Sequence, residues 1–154
     1  MAAAHVLHVG DPSAHRAQVL RVAGYEVDEC ETLPSLAAWF LQGRDTDLVC
    51  ISEELDRAAE GVLALTRNYS SAPIVLFRAG NGTYLQRGWD LEVPPFTPPE
   101  RWLDDLAQLL ALTRANIAAS QALQQQSRQL REEAQRARAA SEQLRATIRS
   151  QREK

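Results

Sequence analysis

Few residues of this chain have the type and spacing for chemistry, and those that do fall in short clusters. Gly10-Asp11-Pro12-Ser13 follows one apolar run and offers a carboxylate. Ser52-Glu53-Glu54 follows another and offers a hydroxyl beside two carboxylates, while Arg78 follows a third run and Pro94 a fourth. Grouped carboxylates would hold a hard divalent cation through oxygen. A serine hydroxyl could accept a phosphoryl group, and Glu53 or Glu54 could mimic a permanently charged site, although a small residue and solvated acids need no function at such a place. Arg78 could pair with Asp11, since a half-buried guanidinium seeks a carboxylate. His5, His8 and His15 suggest a metal, but the odd spacing of His5 and His8 sends them to opposite faces of a strand, which fits packing or surface histidines. Cys30 and Cys50 stand outside any CxxC or Cys/His cluster. That argues against a zinc module or disulfide scaffold and fits a reducing cytoplasm. Cys50 lies within an apolar run and reads as a small core residue. Lys154 is the sole lysine, so no folded part of the chain can draw on one.

These clusters lie where the pattern places strand ends. Apolar or alternating runs at 5–9, 25–30, 47–52 and 73–77, with a weak one at 90–93, read as strands. Between them, helical patterns cover about 14–23 (capped by Ser13 or Asp11 and stopped by Gly24), 35–42 and 57–68. Strand–helix alternation at this spacing predicts an α/β fold, a doubly wound five-stranded parallel sheet with right-handed crossovers. In such sheets ligand chemistry gathers at the carboxyl ends of the strands.

At those ends the pattern resembles the receiver domain of two-component response regulators, over about residues 5–112. The matching stretches are Val6-Leu7-His8-Val9-Gly10-Asp11-Pro12-Ser13, Gly24-Tyr25-Glu26-Val27, Asp47-Leu48-Val49-Cys50-Ile51-Ser52 and Pro94-Pro95-Phe96. The resemblance implies two acidic residues after the first strand, a phosphoaccepting aspartate ending the third, a Ser/Thr ending the fourth and a lysine ending the fifth. Carboxylates of that set hold magnesium, and the metal and lysine neutralise charge as the phosphoryl group transfers. This sequence departs from the set at Gly10, Ser52, Arg78 and Pro94, and keeps only Asp11 of the leading acid pair. The resemblance therefore implies a degenerate pocket made of Gly10, Asp11, Ser52, Arg78 and Pro94, a pseudo-receiver with no metal, no cofactor and no aspartyl phosphorylation. From Arg78 to Pro94 the sequence advances 16 residues through Gly80-Asn81-Gly82, so the fourth helix of a receiver should be shortened or missing. Tyr84, Leu85 and Trp89 would then fold against the sheet.

The remainder of the chain reads differently. Glu100 to Lys154 is 55 residues without glycine or proline, rich in Ala, Leu, Gln, Arg and Glu, which predicts one long helix. Trp102, Leu106, Leu109, Leu110 and Ile117 can dock it on the sheet. Beyond about Ala119 the apolar pattern continues every seven residues at Leu123, Leu130, Ala137 and Leu144, with Ser120, Ser127, Ala134, Ser141 and Ile148 in the companion row. A strict heptad keeps one seam on a partner helix. The expected organisation is a receiver-like domain at 1–118 and a dimerising coiled-coil extension at 119–154, pairing through Ile117, Ser120, Leu123, Leu130, Ala134, Ala137, Leu144 and Ile148. Its small residues bury little area, so this coil should be weak and lean on the start of the helix. Glu133 can reach Arg138 of a parallel partner.

Composition narrows the function classes. Hydrophobic residues make up 45% and charged residues 24%, and no apolar run approaches the ~20 residues that span a membrane. The N-terminus lacks the basic-then-apolar order of a signal peptide. Residues 1–120 carry 9 Arg against 16 Asp/Glu, whereas 121–154 carry 7 Arg and Lys154 against 4 Glu. That basic segment is interleaved with Glu132, Glu133 and Glu142 and has no aromatics for stacking, which reads as a solvated helix face rather than a nucleic-acid surface. The expected function is a non-catalytic cytoplasmic signalling module of bacterial type, a homodimer that contacts an as yet unidentified signalling protein. Two alternatives stand beside it. The chain, ending at Gln151-Arg152-Glu153-Lys154 without a helix stop, could be the regulatory N-terminal segment of a longer histidine kinase or other output enzyme. It could also be a flavodoxin-like small-molecule binder, although Gly10-Asp11-Pro12-Ser13 is too short and acidic for a phosphate loop.

Overall fold

A computed structural model describes residues 4–12, 15–54, 59–80 and 83–152. The chain forms β1 (His5–Val9), α1 (Arg16–Val22), β2 (Glu26–Cys30), α2 (Leu33–Leu41), β3 (Leu48–Ser52), α3 (Glu60–Tyr69), β4 (Ile74–Phe77), β5 (Leu91–Val93) and α4 (Pro99–Arg152). The strands make one sheet in the order β2-β1-β3-β4-β5, with every neighbouring pair parallel. The order reverses direction between β1 and β3, the point where open α/β sheets bind ligands.

Alternation along the strands divides the core into two layers. Leu7, Val9, Val49, Ile51, Ile74 and Leu76 pack with Leu36, Trp39, Phe40 and Leu63 of α2 and α3. Val6, Leu48, Cys50, Val75, Phe77 and Val93 pack with Leu20 of α1 and with Trp102, Leu106 and Leu110 of α4. β3 and β4 are buried along their whole length, which is why they read as unbroken apolar runs. His5 and His8 point to opposite layers. The His5 ring stacks on Trp39 at 6.0 Å on the α2 side, whereas His8 is sealed against Ser52.

Helix starts differ from the sequence expectation. α1 begins at Arg16 after His15 in the left-handed region (φ 53), with no side-chain cap, so Asp11 does not cap it; Ser13 lies outside the described residues. α2 begins earlier than expected because Thr32 and Ser35 form a reciprocal capping box and Pro34 suits a first turn. Between Phe77 and Leu91 the described residues contain no helix, so the expected loss of the fourth receiver helix is met there, with 81–82 outside the description.

The chain divides into two compact units, Met1–Thr113 and Arg114–Lys154, a few residues before the break expected at 118/119. In the second unit every described residue is exposed and helical. Among the described residues no helix is long and apolar enough to cross a membrane.

Candidate functional site

The end of β3 carries the first cluster. Ser52 is buried, and its Oγ accepts a hydrogen bond from Arg16 Nη1 at 2.9 Å and lies 3.2 Å from His8 Nε2. β1 and β3 set this geometry: His8 pairs with Cys50 in the parallel ladder, so the next inward side chain of β3, Ser52, sits just beyond the imidazole. Arg16 reaches in from the first turn of α1 with its guanidinium 4.6 Å over the Phe77 ring, and Phe77 in turn meets Trp102 edge-on at 5.3 Å. Burial, and then the Arg16 charge, push the His8 pKa down to about 4. The ring is therefore neutral near pH 7 and can take the Ser52 hydroxyl proton as a hydrogen bond. Burial lowers the Arg16 pKa too, though a guanidinium stays charged.

Gly10 closes the cluster from β1. Its φ of +134 lies where L side chains rarely go, and a Cβ there would stand 2.7 Å from Ser52 Cβ. Its amide donates to the Cys30 carbonyl at 2.9 Å. A cleft of about 330 Å³ opens beside Gly10 and Ser52, walled by Val9, Thr32, Ile51 and Val62. Asp11, by contrast, is exposed.

Glu53 and Arg78 form a second cluster that replaces two sequence expectations. Arg78 was expected beside Asp11; its Nε donates to Glu53 Oε2 at 3.0 Å and its Nη1 to Glu92 Oε1 at 2.9 Å. The cause is register. Ser52 pairs with Phe77, so the following residues, Glu53 and Arg78, emerge side by side. Nor is Glu53 a solvated acid: its side chain is 3% exposed. Burial alone would raise its carboxyl pKa, but hydrogen bonds from Tyr84, Ala79, Arg78 and Gly80 outweigh that and hold it below the usual carboxylate range. Tyr84 stacks edge-on with Trp89 at 4.9 Å, and Trp89 Nε1 donates to Glu92 Oε2. As expected, Tyr84 and Trp89 pack against the sheet in place of a helix, whereas Leu85 is exposed.

Structural neighbours show what this scaffold is. The N-terminal domain of a response regulator/sensory box/GGDEF three-domain protein from Carboxydothermus hydrogenoformans matches 73% of this chain and 98% of its own, with TM-score 0.62 and 20% identity. A CheY-like response regulator receiver domain from Methanospirillum hungatei matches 75% of this chain and 99% of its own, with TM-score 0.63 and 17% identity. The chemotaxis response regulator CheY4 of Vibrio cholerae matches 70% and 99%, with TM-score 0.54 and 21% identity. This is the receiver-domain fold. No protein-family model and no curated protein matches the sequence.

The magnesium that the receiver fold implies does not fit the side chains found here. The positions that would supply carboxylates hold Gly10, Asp11 and Ser52, and the space beside Ser52 Oγ takes a guanidinium. Among the described residues no three His, Cys, Asp or Glu gather where one ion could be held. Glu53, the nearest acid in sequence, is committed to Arg78, Tyr84 and two backbone amides. Pro94, at the receiver lysine position, is exposed, and its carbonyl accepts the Thr97 hydroxyl at 2.7 Å.

Of the five pocket residues expected from the resemblance, Gly10 and Ser52 come together, Arg78 joins Glu53, and Asp11 and Pro94 lie exposed. Arg16 and His8 were not expected at this site. A basic residue on α1 is unremarkable in sequence, but the two-residue step from Cys50, the ladder partner of His8, to Ser52 places both side chains on one face of the sheet. The seam residues Ile117, Leu123, Leu130, Leu144 and Ile148 are between 51% and 66% exposed on α4, and Ser120, Ala134 and Ala137 are exposed with them.

Proposed function

We propose that this chain is a non-catalytic, receiver-like signalling module that takes no phosphoryl group on aspartate and pairs with itself through α4. In this reading it relays or scaffolds protein contacts in two-component-type signalling. The observation that carries the reading is the Arg16–Ser52 hydrogen bond: a cation stands against the acceptor position, which has no carboxylate to phosphorylate. The cluster of Gly10, Ser52, His8 and Arg16, together with the Glu53–Arg78–Glu92 pairing, serves to hold one shape rather than to switch between two. Residues 1–118 act as the receiver-like part. Residues 119–154 act as the pairing part, through Ile117, Ser120, Leu123, Leu130, Ala134, Ala137, Leu144 and Ile148.

One further reading has a specific observation behind it. The Carboxydothermus domain is the N-terminal domain of a three-domain protein. A receiver fold leading into a long helix suits the regulatory segment of such a longer chain, with α4 as the link to an output.

Incubation with acetyl phosphate and magnesium followed by intact mass measurement tests the main reading. The mass should stay unchanged; an acid-labile phosphoryl adduct would overturn it.

A further inference from the structure

We infer that α4 pairs with a second copy of itself in parallel and in register, and that an arginine column selects this orientation. The inference rests on the pairing through α4 proposed above and adds its geometry. Arg131, Arg138, Arg145 and Arg152 recur every seven residues, each one position after the Leu130, Ala137, Leu144 row or its continuation at Gln151. They make a single basic edge along the exposed seam of a continuous helix, Pro99–Arg152. The basic segment is thus not merely interleaved charge, because its arginines are tied to the heptad. The opposite edge carries Gln126, Glu133, Ala140 and Thr147, and its acid is Glu133. Glu132 lies on the outer face, paired within the helix to Arg136 at 3.5 Å.

Orientation decides what this edge meets. In a parallel pair the edge following one seam row faces the edge preceding the other row on the partner. Arg138 then meets Glu133 of the second copy on both sides, and Arg131, Arg145 and Arg152 face Gln, Ala and Thr. The two arginine edges lie on opposite sides of the pair. In an antiparallel pair each edge faces its own counterpart, so every alignment that lays the two arginine-bearing halves over each other sets arginine against arginine along one side. The charges along these edges discriminate between the two orientations.

Two full-length variants, Gln129→Cys and Ser150→Cys, each spin-labelled, test the orientation by dipolar distance measurement. Cys30 and Cys50 are buried, and burial pushes the Cys50 thiol up to about 12, so the added cysteine takes the label. Parallel pairing predicts short distances at both positions, set by an interaxial spacing of about 8–10 Å plus the label arms. Two sites 21 residues apart cannot both sit at an antiparallel centre. At about 1.5 Å rise per residue at least one would then read about 30 Å or more, which would overturn the inference. A third variant reads the same question through affinity. Arg138→Glu should weaken self-association about threefold or more by setting acid against Glu133 of the second copy. Tighter association would mean that arginine–arginine contacts had been relieved, and parallel pairing would be wrong. Sedimentation of the unmodified chain separates the two levels: a monomer defeats the pairing itself, whereas a dimer with a long distance defeats only the orientation.

Discussion

The Arg16 guanidinium donates to Ser52 Oγ at 2.9 Å from a seat over the Phe77 ring. One hydrogen bond thereby links α1 to the end of β3, and the aromatic contact carries the link to Trp102 in the first turns of α4. At the end of β3 stands a basic, hydroxyl-centred cluster of Arg16, His8 and Ser52. Hydrogen bonds to charged groups contribute about 1.5–3 kcal/mol, and a cation over an aromatic face about 0.5–2 kcal/mol, enough to hold one arrangement.

Gly10 tests how far that arrangement can be reversed. Gly10→Ala forces a Cβ to within 2.7 Å of Ser52 Cβ at a φ of +134. It should cost about 2 kcal/mol or more, measured by urea denaturation. Gly10→Asp with Ser52→Asp, restoring receiver-type acids, should lower stability without giving phosphorylation by acetyl phosphate.

The Glu53–Arg78 pair should behave as a buried ion pair. Arg78→Ala leaves the Glu53 carboxylate buried and is expected to destabilise by about 3 kcal/mol, whereas Glu53→Gln with Arg78→Met should cost less than Arg78→Ala alone. Chemical denaturation of the three proteins checks the order; equal losses would show that the pair is not coupled.

Acid should unfold the protein through His8 before the carboxylates. Its pKa is pushed down to about 4 in the folded chain against 6.5 when unfolded, so between those values the unfolded state binds more protons. Stability is complete above about pH 6.5 and falls as pH drops toward 4, by about 3 kcal/mol in all. Glu53, whose pKa is also lowered, adds a loss in the same direction at lower pH. His8→Asn should flatten the stability curve between pH 6.5 and 4; an unchanged slope would remove His8 as its source.

Removing residues 121–154 should shift the protein toward monomer in light scattering, and Leu130→Asp in the full chain should do the same with its fold intact by circular dichroism. The seam is thin, with Ser or Ala at Ser120, Ser127, Ala134, Ala137 and Ser141, so one charge at a leucine suffices.

Much of the scaffold was legible because burial writes itself into composition. β3 and β4, covered on both faces, read as apolar runs, and the unbroken stretch after Pro99 read as helix. The start of α1 was misplaced because the backbone turns through His15 in the left-handed region without a side-chain cap, which leaves no compositional mark. The site was half legible. Gly10 and Ser52 stand out against the receiver pattern, but the residues that fill the space came from elsewhere. Arg16 sits on a helix rather than at a strand end, and Glu53 looked like a surface acid until the β3–β4 register set it beside Arg78. Strand order makes β3 and β4 neighbours but does not set their register, so the Glu53–Arg78 pair, like the Arg16 contact, needed the structure.

Manganese titration followed by amide NMR addresses the Arg16–Ser52 pocket most directly, because a paramagnetic divalent ion broadens the resonances of whatever holds it. Resonances of Gly10, Arg16 and Ser52 should broaden no more than those of other surface-near amides. Selective, chelator-reversible broadening at those three positions would mean that the pocket still holds a metal, and that Arg16 does not fill it.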